Sequence, residues 1–455
     1  MLVLWNISQG GRAMKRLLGI VVVVVLLAGC TVQMPATPQV EKVKTLPTPA
    51  IEMVSTVETI GNLDDMLEPN SFTAAFFLAD NPNDKGWNAA HYRGITYLES
   101  LGKVVRRNGL SFVIETPNKE RMNIVVVPDN GYTDNVIEKN MRDVLDKYDP
   151  NIVFGTWFDS YAATLRLADE YPEALFEHIS GYPLVASTMG KNGNFSTYFI
   201  RMEEGDYLAC AAAGLLGLNK IGIAATFLIP EPNRGINACS LGLQEGLSHA
   251  GYNPDTAYVQ VSLTNSWLDG PQETEAAKGI IGAGFPVVRQ MADTPNASET
   301  ACNASESVVA IGYGTDVKDT ATCALGTNTW VWGPHYMESV LNANNGTWVP
   351  EDKWDGFEQG AVGVVSFNTA YLSQEQISVL EGWKQQIALG KKSIFAGPIH
   401  GYDANKAKLF LPEGAKLNDM QQLNMLWFEE HVHIGEGTLP TPIDEPYTAP
   451  LQVLN

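Results

Sequence analysis

Positive charge is scarce in this 455-residue sequence. It has 30 Lys and Arg residues against 51 Asp and Glu residues, which gives a formal net charge of −21 at pH 7. Because a phosphate backbone requires a basic surface, this charge argues against a sequence-independent nucleic-acid binder. It equally disfavours an anionic ligand that is attracted over long range. We therefore expect no nucleic-acid partner, and a ligand that is neutral or cationic.

The common catalytic motifs are also missing. The sequence has no Gly-x-Ser-x-Gly elbow, no His-Glu-x-x-His, no Walker loop and no complete Gly-x-Gly-x-x-Gly, since Gly312-Tyr313-Gly314 lacks the third glycine. His431 and His433 alternate near the end, a spacing more typical of a solvated or packed strand than of a ligand pair. We predict no enzyme activity, no metal site and no cofactor, with an exported nucleoside hydrolase as the alternative.

Cysteine is rare, and the five cysteines include no CxxC pair. Such pairs are typical of structural zinc sites, so the sequence argues against structural zinc. The first cysteine, Cys30, is the last residue of the tetrapeptide Leu27-Ala28-Gly29-Cys30. An apolar run that begins at Leu17 leads into this tetrapeptide, and the basic pair Lys15 and Arg16 stands directly before the run. The run is shorter than the roughly 20 apolar residues that span a bilayer. The pattern predicts a lipoprotein export signal over residues 1–30, with Met14 as its start. We expect Cys30 to be lipidated and to anchor the protein to the cell membrane, outside the cytoplasm.

The other four cysteines are Cys210, Cys239, Cys302 and Cys323. An even number in an exported chain permits two disulfides. We favour the pair Cys302 and Cys323, because it would close a loop rich in Thr, Ala, Asn and Ser.

Residues 31–70 are predicted to be a tether, since prolines at 35, 38, 47 and 49 indicate an extended segment after Cys30. From Ser71 onward, short β-branched or aromatic runs alternate with longer amphipathic stretches, which indicates a parallel sheet flanked by helices. The predicted strands are 74–78, 124–127, 151–154, 221–226, 308–312 and 362–367. The predicted helices are 87–101, 132–147, 162–171, 205–216, 235–251 and 271–283.

Aromatic residues stand beside carboxylates or amides after several predicted strands. The segments concerned are 80–88, 155–159, 265–269 and 312–316. Ligands of parallel sheets bind beyond the carboxyl ends of the strands, so these segments are candidate binding loops. Ring faces and fixed acceptors suit a flat, neutral ligand that forms hydrogen bonds. Helix capping and core packing are the alternative explanation for each residue taken singly.

Several longer strings carry a family resemblance over about Thr73 to His433. They are Asp84-Lys85-Gly86-Trp87-Asn88-Ala89-Ala90-His91, Ala168-Asp169-Glu170-Tyr171-Pro172, Glu204-Gly205-Asp206-Tyr207-Leu208-Ala209 and Ile229-Pro230-Glu231-Pro232-Asn233-Arg234-Gly235-Ile236-Asn237-Ala238. With Asn265-Ser266-Trp267-Leu268-Asp269, Trp332-Gly333-Pro334-His335-Tyr336, Gly397-Pro398-Ile399 and Met425-Leu426-Trp427-Phe428, the chain resembles the basic membrane lipoprotein (BMP) family of ABC-transporter substrate-binding proteins. It is most similar to the branch that binds purine bases such as adenine.

The resemblance implies an α/β type I periplasmic-binding-protein fold, with two doubly wound lobes, a multi-strand hinge and a ligand cleft between the lobes. We expect lobe 1 over 71–184, lobe 2 over 185–311, and a remainder, 312–455, that returns to lobe 1 with C-terminal segments crossing the hinge. The implied ligand-binding residues are Trp87, Asn88, Trp157, Phe158, Asp159, Asp293 and Asp316.

The implied function is a monomeric solute-binding component that presents a purine base, or a similar flat heterocycle, to an ABC permease. Nucleoside-binding members have a lysine near the segment matching Thr327–Trp332, and this segment has none, which favours a free base. A sensing protein of the same fold that signals to a membrane receptor is the alternative, as is a binder of nucleoside or sugar.

Overall fold

The computed structural model of the protein describes residues 58–59, 61–179 and 191–435. The expected export signal and the lipidation site at Cys30 lie outside these ranges. Within them, no helix has both the length and the apolar character needed to cross a membrane.

Strands and helices alternate through the described chain. The strands are β1 (Glu58–Thr59), β2 (Phe72–Phe77), β3 (Lys103–Asn108), β4 (Ser111–Glu115), β5 (Arg121–Val127), β6 (Ile152–Gly155), β7 (Leu175–Ile179), β8 (Phe195–Ile200), β9 (Lys220–Ala225), β10 (Tyr258–Leu263), β11 (Val287–Met291), β12 (Val309–Gly314), β13 (Ala324–Trp330), β14 (Asp352–Asp355), β15 (Val362–Val365), β16 (Ile399–Asp403), β17 (Lys408–Leu411), β18 (Trp427–Glu429) and β19 (Val432–Ile434). The helices are α1 (Leu63–Met66), α2 (Trp87–Thr96), α3 (Asp134–Tyr148), α4 (Tyr161–Glu170), α5 (Met202–Leu215), α6 (Pro230–His249), α7 (Gly270–Gly282), α8 (Asn296–Ala304), α9 (Gly333–Asn344), α10 (Gln374–Ala388) and α11 (Asp419–Leu423).

All six strands and six helices expected from the sequence are present. One expected helix, 87–101, is divided, because α2 ends at Thr96 and a 3₁₀ segment, Tyr97–Leu101, follows it. Local sequence explains where several helices begin. Proline occupies the first turn of α6, α7 and α9, where its missing N–H leaves no helical hydrogen bond unmade. Asp269 caps α7 by accepting a hydrogen bond from the backbone N–H of Gln272 at 3.0 Å.

The first sheet has the strand order β1-β3-β4-β5-β2-β6-β7-β8-β14. Its neighbours are parallel except around β4, which is antiparallel to both β3 and β5. The second sheet has the order β15-β13-β12-β11-β9-β10-β19 and is parallel except for the β13–β15 pair. Strands β17, β16 and β18 form a small antiparallel sheet. The protein therefore has two α/β lobes, each built on a mainly parallel sheet.

The chain passes between the lobes three times. It leaves the first sheet at Ile200 and enters α5, which packs on α6 in the second lobe. It returns after Trp330 to α9, which packs on α2, and to β14 of the first sheet. It crosses again between Asp355 and Val362. These three passages form a multi-strand hinge, as the resemblance implies.

The lobe boundaries differ from those expected. Strand β8 belongs to the first sheet, although lobe 2 was expected to begin at 185. Strands β13, β15 and β19 belong to the second sheet, although the chain after 311 was expected to return to lobe 1. The reason is topological, because only residues 333–355 go back to the first lobe before β15 pairs with β13. Sequence patterns locate strands but do not say which sheet each one joins.

Two disulfides link elements of the second lobe. One joins Cys302, in α8, to Cys323, just before β13, and it is the pair that the sequence favours. The other joins Cys210 of α5 to Cys239 of α6. Both cysteines of this second pair are fully buried in the core cluster that spans the two lobes. The disulfides therefore fix the second lobe, on which one wall of the cleft is built.

Candidate functional site

A cavity that is partly open to solvent lies between the carboxyl ends of the two parallel sheets. The first lobe contributes Ala79, Trp87, Asn88, Tyr132, Trp157, Phe158, Asp159, Ile179 and Phe199. The second lobe contributes Thr226, Ile229, Glu231, Pro232, Trp267, Leu268, Met291, Asp293, Tyr313 and Trp330. Because parallel strands end at the same edge, loops that are far apart in sequence meet there.

Indole and phenyl rings dominate the wall from the first lobe. Trp157 follows β6, is only 3% exposed and packs into the core around α3 and α4. Phe158, the next residue, is 43% exposed and stands near the opening. Trp87 begins α2 and donates its indole N–H to the carbonyl oxygen of Thr156 at 2.8 Å. This bond holds the two aromatic loops of the first lobe against each other.

The loop before α2 is organised around Asp84. Its carboxylate accepts hydrogen bonds from the backbone N–H groups of Gly86, Asn88 and Ala89 at 2.8–3.0 Å. It also accepts one from the side-chain amide of Asn88 at 2.8 Å. The amide oxygen of Asn88 in turn accepts the backbone N–H of Asp80 at 3.3 Å. Asn88 is therefore largely committed to shaping this loop, although it lines the cavity.

Two carboxylates and a phenol form the polar part of the second wall. Tyr313, at the end of β12, donates its hydroxyl to Glu231 at 3.0 Å. Asp293 follows β11, and its backbone N–H donates to the carbonyl oxygen of Trp267 at 3.0 Å. Trp267 packs edge-to-face on Phe227 with centroids 4.9 Å apart. Thus the loops after β9, β10, β11 and β12 all bring a polar or aromatic group to the cavity.

The two lobes touch closely beside the cavity. A Cβ added at Gly86 would lie 1.5 Å from the carbonyl oxygen of Asp293, so the two backbones are in direct contact. The Thr315 hydroxyl donates to the carbonyl oxygen of Lys85 at 2.5 Å. The Trp87 and Trp330 rings meet edge-to-face with centroids 4.9 Å apart. The described conformation is therefore one in which the cleft is closed beside Gly86.

Burial and neighbouring acidic groups favour the protonated forms of two carboxyl groups in the cavity. Burial, together with the charges of Asp84, Glu273 and Glu231, raises the pKa of Asp293 well above its ordinary value. Burial also raises the pKa of Glu231 to about 7, against the opposing effect of Arg234. Partial burial of the hydroxyl group and the hydrogen bond to Asp80, with further effects of Asp293 and Asp159, raise the pKa of Tyr132.

Two hydrogen-bond donors of the cavity wall have no partner among the residues that the structure describes. They are the indole N–H groups of Trp157 and Trp330, which are both at least nine-tenths buried. A buried polar group without a partner is destabilising by about 1–3 kcal/mol. Both N–H groups are enclosed within the wall itself, so the groups that it offers to a ligand are the carboxyl groups of Asp159, Glu231 and Asp293. A ligand with hydrogen-bond donors at the edge of a flat ring would complement these groups.

Six of the seven ligand-binding residues expected from the resemblance line this cavity: Trp87, Asn88, Trp157, Phe158, Asp159 and Asp293. Asp316 does not. Strand β12 continues to Gly314, two residues beyond its expected end, and Gly314 has a positive φ of 80° that turns the chain away. Asp316 is consequently exposed and accepts a hydrogen bond from the Ser366 hydroxyl at 2.6 Å.

Sequence reasoning did not assign several cavity residues, notably Glu231, Tyr313, Trp330 and Tyr132. The rule that ligands bind after strands could have found Glu231, which stands six residues after β9. Trp330 lies in the segment 327–332 that lacks the nucleoside-family lysine. In this segment the side-chain amide of Asn328 donates a hydrogen bond to Asp206, which also forms an ion pair with Arg289. The polar group of Asn328 therefore belongs to a buried network behind the cavity wall.

The string from Ile229 to Ala238 has a structural role as well. Asn233 donates its side-chain amide to the carbonyl oxygen of Met425 at 3.0 Å. Asn237 donates to the carbonyl oxygen of Trp427 at 2.9 Å and accepts the backbone N–H of Glu429 at 2.9 Å. Two strings that carry the resemblance, 229–238 and 425–428, therefore bind each other and fix the start of α6.

A family profile described as "Bmp: ABC transporter substrate-binding protein PnrA-like" matches residues 72–398, which is most of the described chain. The chain belongs to the Bmp family. The members of this family are described as substrate-binding proteins of ABC transporters. The matched range contains both walls of the cavity, so the Bmp assignment covers the whole candidate site.

Among its relatives, the Bmp chain is 27% identical over 356 residues to a purine-binding protein of Brucella abortus (strain 2308), covering 78% of this chain and 90% of that protein. It is 30% identical over 271 residues to a Haloferax volcanii protein provisionally named ABC transporter glucose-binding protein TsgA13, covering 58% of this chain and 65% of that protein.

Solved structures agree on the fold. A solute-binding protein of an ABC transporter system from Aeropyrum pernix K1 aligns with a TM-score of 0.56 and 14% identity, covering 72% of this chain and 94% of the other. One from Conexibacter woesei DSM 14684 aligns with a TM-score of 0.54 and 17% identity, covering 71% and 98%. At such low identity these likenesses establish the periplasmic-binding-protein architecture and leave the ligand to be argued from the cavity.

Proposed function

We propose that this Bmp-family protein binds a purine base, or a closely similar flat heterocycle, in the cavity between its lobes and presents it to an ABC permease. The observation that carries the proposal is the composition of the cavity wall. Tryptophan rings from both lobes surround the space, with the carboxyl groups of Asp159, Glu231 and Asp293 among them. A purine offers two ring faces for stacking, and its edge carries both lone pairs and N–H groups.

Binding would drive closure of the lobes. Asp159 and Phe158 belong to the first lobe, whereas Asp293, Glu231 and Trp267 belong to the second. A ligand held between them contacts both walls only in the closed form, so it shifts the population towards that form. The closed protein is the state that we expect the permease to accept.

The similarity to the Brucella abortus purine-binding protein, which extends over 90% of that protein, supports a purine ligand. The composition of the cavity also favours a free base over a nucleotide, because none of its described lining residues is a Lys or Arg that could bind a phosphate group. We extend the proposal to location. The protein acts as a monomer outside the cytoplasm and is held to the cell membrane through lipidated Cys30, for which the lipobox-like sequence is the support.

Truncation of Phe158 tests the stacking on which the proposal depends. Base–aromatic stacking contributes about 1–3 kcal/mol, so Phe158→Ala should weaken adenine binding by about 5- to 150-fold in a calorimetric titration. Phe158 is 43% exposed, which means that its truncation removes little core packing. Tyr252→Ala, at a 53% exposed aromatic outside the cavity, is the matched control and should bind as the wild type does. Unchanged adenine binding by Phe158→Ala would contradict the proposed stacking.

A further inference from the structure

We propose that the heterocycle bound in this cavity carries a positive charge. The inference rests on the proposed function, that the cavity holds a flat heterocycle, and narrows the ligand to a cationic class, such as an N-alkylated or protonated purine. Three carboxylates from the two lobes line the space, namely Asp159, Glu231 and Asp293. No lysine or arginine lines it within the described parts of the chain.

These carboxyl groups have no ion-paired protein cation in the described chain, although Arg234 acts on Glu231 without forming an ion pair with it. In the described chain, none of the three takes part in an ion pair. Glu231 accepts the hydroxyl of Tyr313, which brings no charge. Elsewhere the protein does match buried carboxylates with arginine, as in the fully buried pair of Asp206 with Arg289. In the described chain the cavity carboxyl groups therefore lack the arginine partner that Asp206 has, as fully buried Glu273 also does, and they are available to a cation that enters the cavity.

The nearby arginines are already engaged behind the wall. Arg289 is bound to Asp206, and its guanidinium carbon lies 5.4 Å from the centroid of the Tyr313 ring. Arg234 lies 3.5 Å from Glu203 and is stacked over Trp354 at 5.0 Å. Neither arginine is among the residues lining the cavity. Tyr313 separates Arg289 from the space, so the cavity faces carboxylates while the cations stay behind the ring.

The aromatic rings favour the same charge. The face of an indole ring attracts a cation within about 6 Å, and tryptophan does so most strongly among the aromatic residues. Trp87, Trp157, Trp267 and Trp330 come to the cavity from four different loops or strands. A neutral purine gains stacking and ordinary hydrogen bonds, whereas a flat cation with N–H groups gains stacking, attraction to the rings and charge-assisted hydrogen bonds to carboxylates.

Carboxylates beyond the lining residues add to the negative potential. The negative charges of Asp84, Glu273 and Glu231 all raise the pKa of Asp293 and so favour its protonated form. A bound cation would reverse this balance and favour ionised Asp293. Binding of a permanent cation should therefore release protons, which calorimetry detects as a dependence of the binding heat on the ionisation enthalpy of the buffer.

The test uses two flat bicyclic probes of equal shape, 1-methylquinolinium, which is permanently charged, and 1-methylnaphthalene, which is neutral. We expect the wild type to bind the quinolinium at least about tenfold more tightly, through attraction of its charge to the rings and carboxylates, and to release protons on doing so. Asp293→Asn and Glu231→Gln should each reduce this preference about fivefold or more. Asp316→Asn, which removes an exposed carboxylate outside the cavity, is the matched control and should preserve the preference.

Equal affinity of the wild type for the two probes would overturn the inference, as would an undiminished preference in both cavity variants. A parallel titration with adenine separates this failure from failure of the proposed function. If adenine binds and the two probes bind equally, the purine site stands and the claim of a positively charged ligand is refuted. If the quinolinium is preferred but no purine binds, the claim of a positively charged ligand is supported and the purine proposal is refuted.

Discussion

Gly86 offers the most direct perturbation of lobe closure. It lies in the first lobe, directly before α2, and Asp293 lies in the second lobe, two residues after the end of β11. A methyl group at Gly86 would stand 1.5 Å from the carbonyl oxygen of Asp293 and 2.5 Å from its carbonyl carbon. Both are backbone atoms, which no change of rotamer can move aside. Gly86→Ala should therefore keep the cleft from closing to the described conformation.

The expected magnitude follows from the contacts that closure provides. A ligand held by one lobe alone loses contact over one ring face, about half of the roughly 150–250 Å² that a buried aromatic ring contributes. At about 25 cal/mol per Å², this loss of about 100 Å² corresponds to about 2.5 kcal/mol, or roughly a 70-fold weaker affinity. Stability without ligand should change little, because the clash disappears when the lobes separate.

Calorimetric titration with adenine and thermal unfolding without ligand are the two assays. Gly382→Ala is the matched control, since a Cβ there meets nothing within 4 Å and Gly382 lies inside α10. We expect this control to bind adenine normally and to be more stable by up to about 1 kcal/mol. Wild-type affinity in Gly86→Ala would refute the reasoning, because it would mean that binding does not require the close approach of Gly86 to Asp293.

Two further predictions concern pH and anchoring. Glu273 is fully buried, and burial raises its pKa from 4.5 to about 7. Between these two pH values the folded state binds more protons than the unfolded state. The protein therefore loses stability as the pH rises through this range. Glu273→Gln should therefore remove about 2–3 kcal/mol of the fall in unfolding free energy between pH 5 and pH 8, measured by chemical denaturation, and a pH profile parallel to that of the wild type would contradict this. Cys30→Ser should move the protein from the membrane fraction to the soluble fraction, and retention of the variant in the membrane would count against lipidation at Cys30.

The sequence predicted the elements of the fold better than their assembly. Strands such as β2 and β9 are continuous buried apolar runs with turn residues at their ends, so their positions follow from local pattern. The hairpin of β3 and β4 was not predicted, because half-exposed residues of β3 such as Arg106 and Arg107 hide its strand character. The membership of β8 and β15 in their sheets depends on pairing between distant segments, which no local pattern records.

For the candidate site, too, some residues could be placed from local sequence pattern and others depend on the pairing of distant segments. Trp157 and Asp293 could be placed because each stands two residues after the end of a recognisable strand. Asp316 was misplaced because the end of β12 depends on its pairing with β13, which extends the strand to Gly314. Glu231 and Trp330 were not assigned, since a carboxylate at a helix start and a tryptophan near a strand end have ordinary structural uses. Only the three-dimensional arrangement shows that both border the same cavity.

The central claim is that the cavity binds a purine-like base. Its most direct test is a calorimetric titration of the wild type, unfolded and refolded to free it of ligand, with adenine, hypoxanthine, guanine and glucose in parallel. Glucose is the informative comparison, because one relative carries a provisional glucose-binding name and another a purine-binding name. We predict that at least one purine base binds at micromolar concentration or below and that glucose does not. Tight binding of glucose with no binding of the three bases would contradict the account.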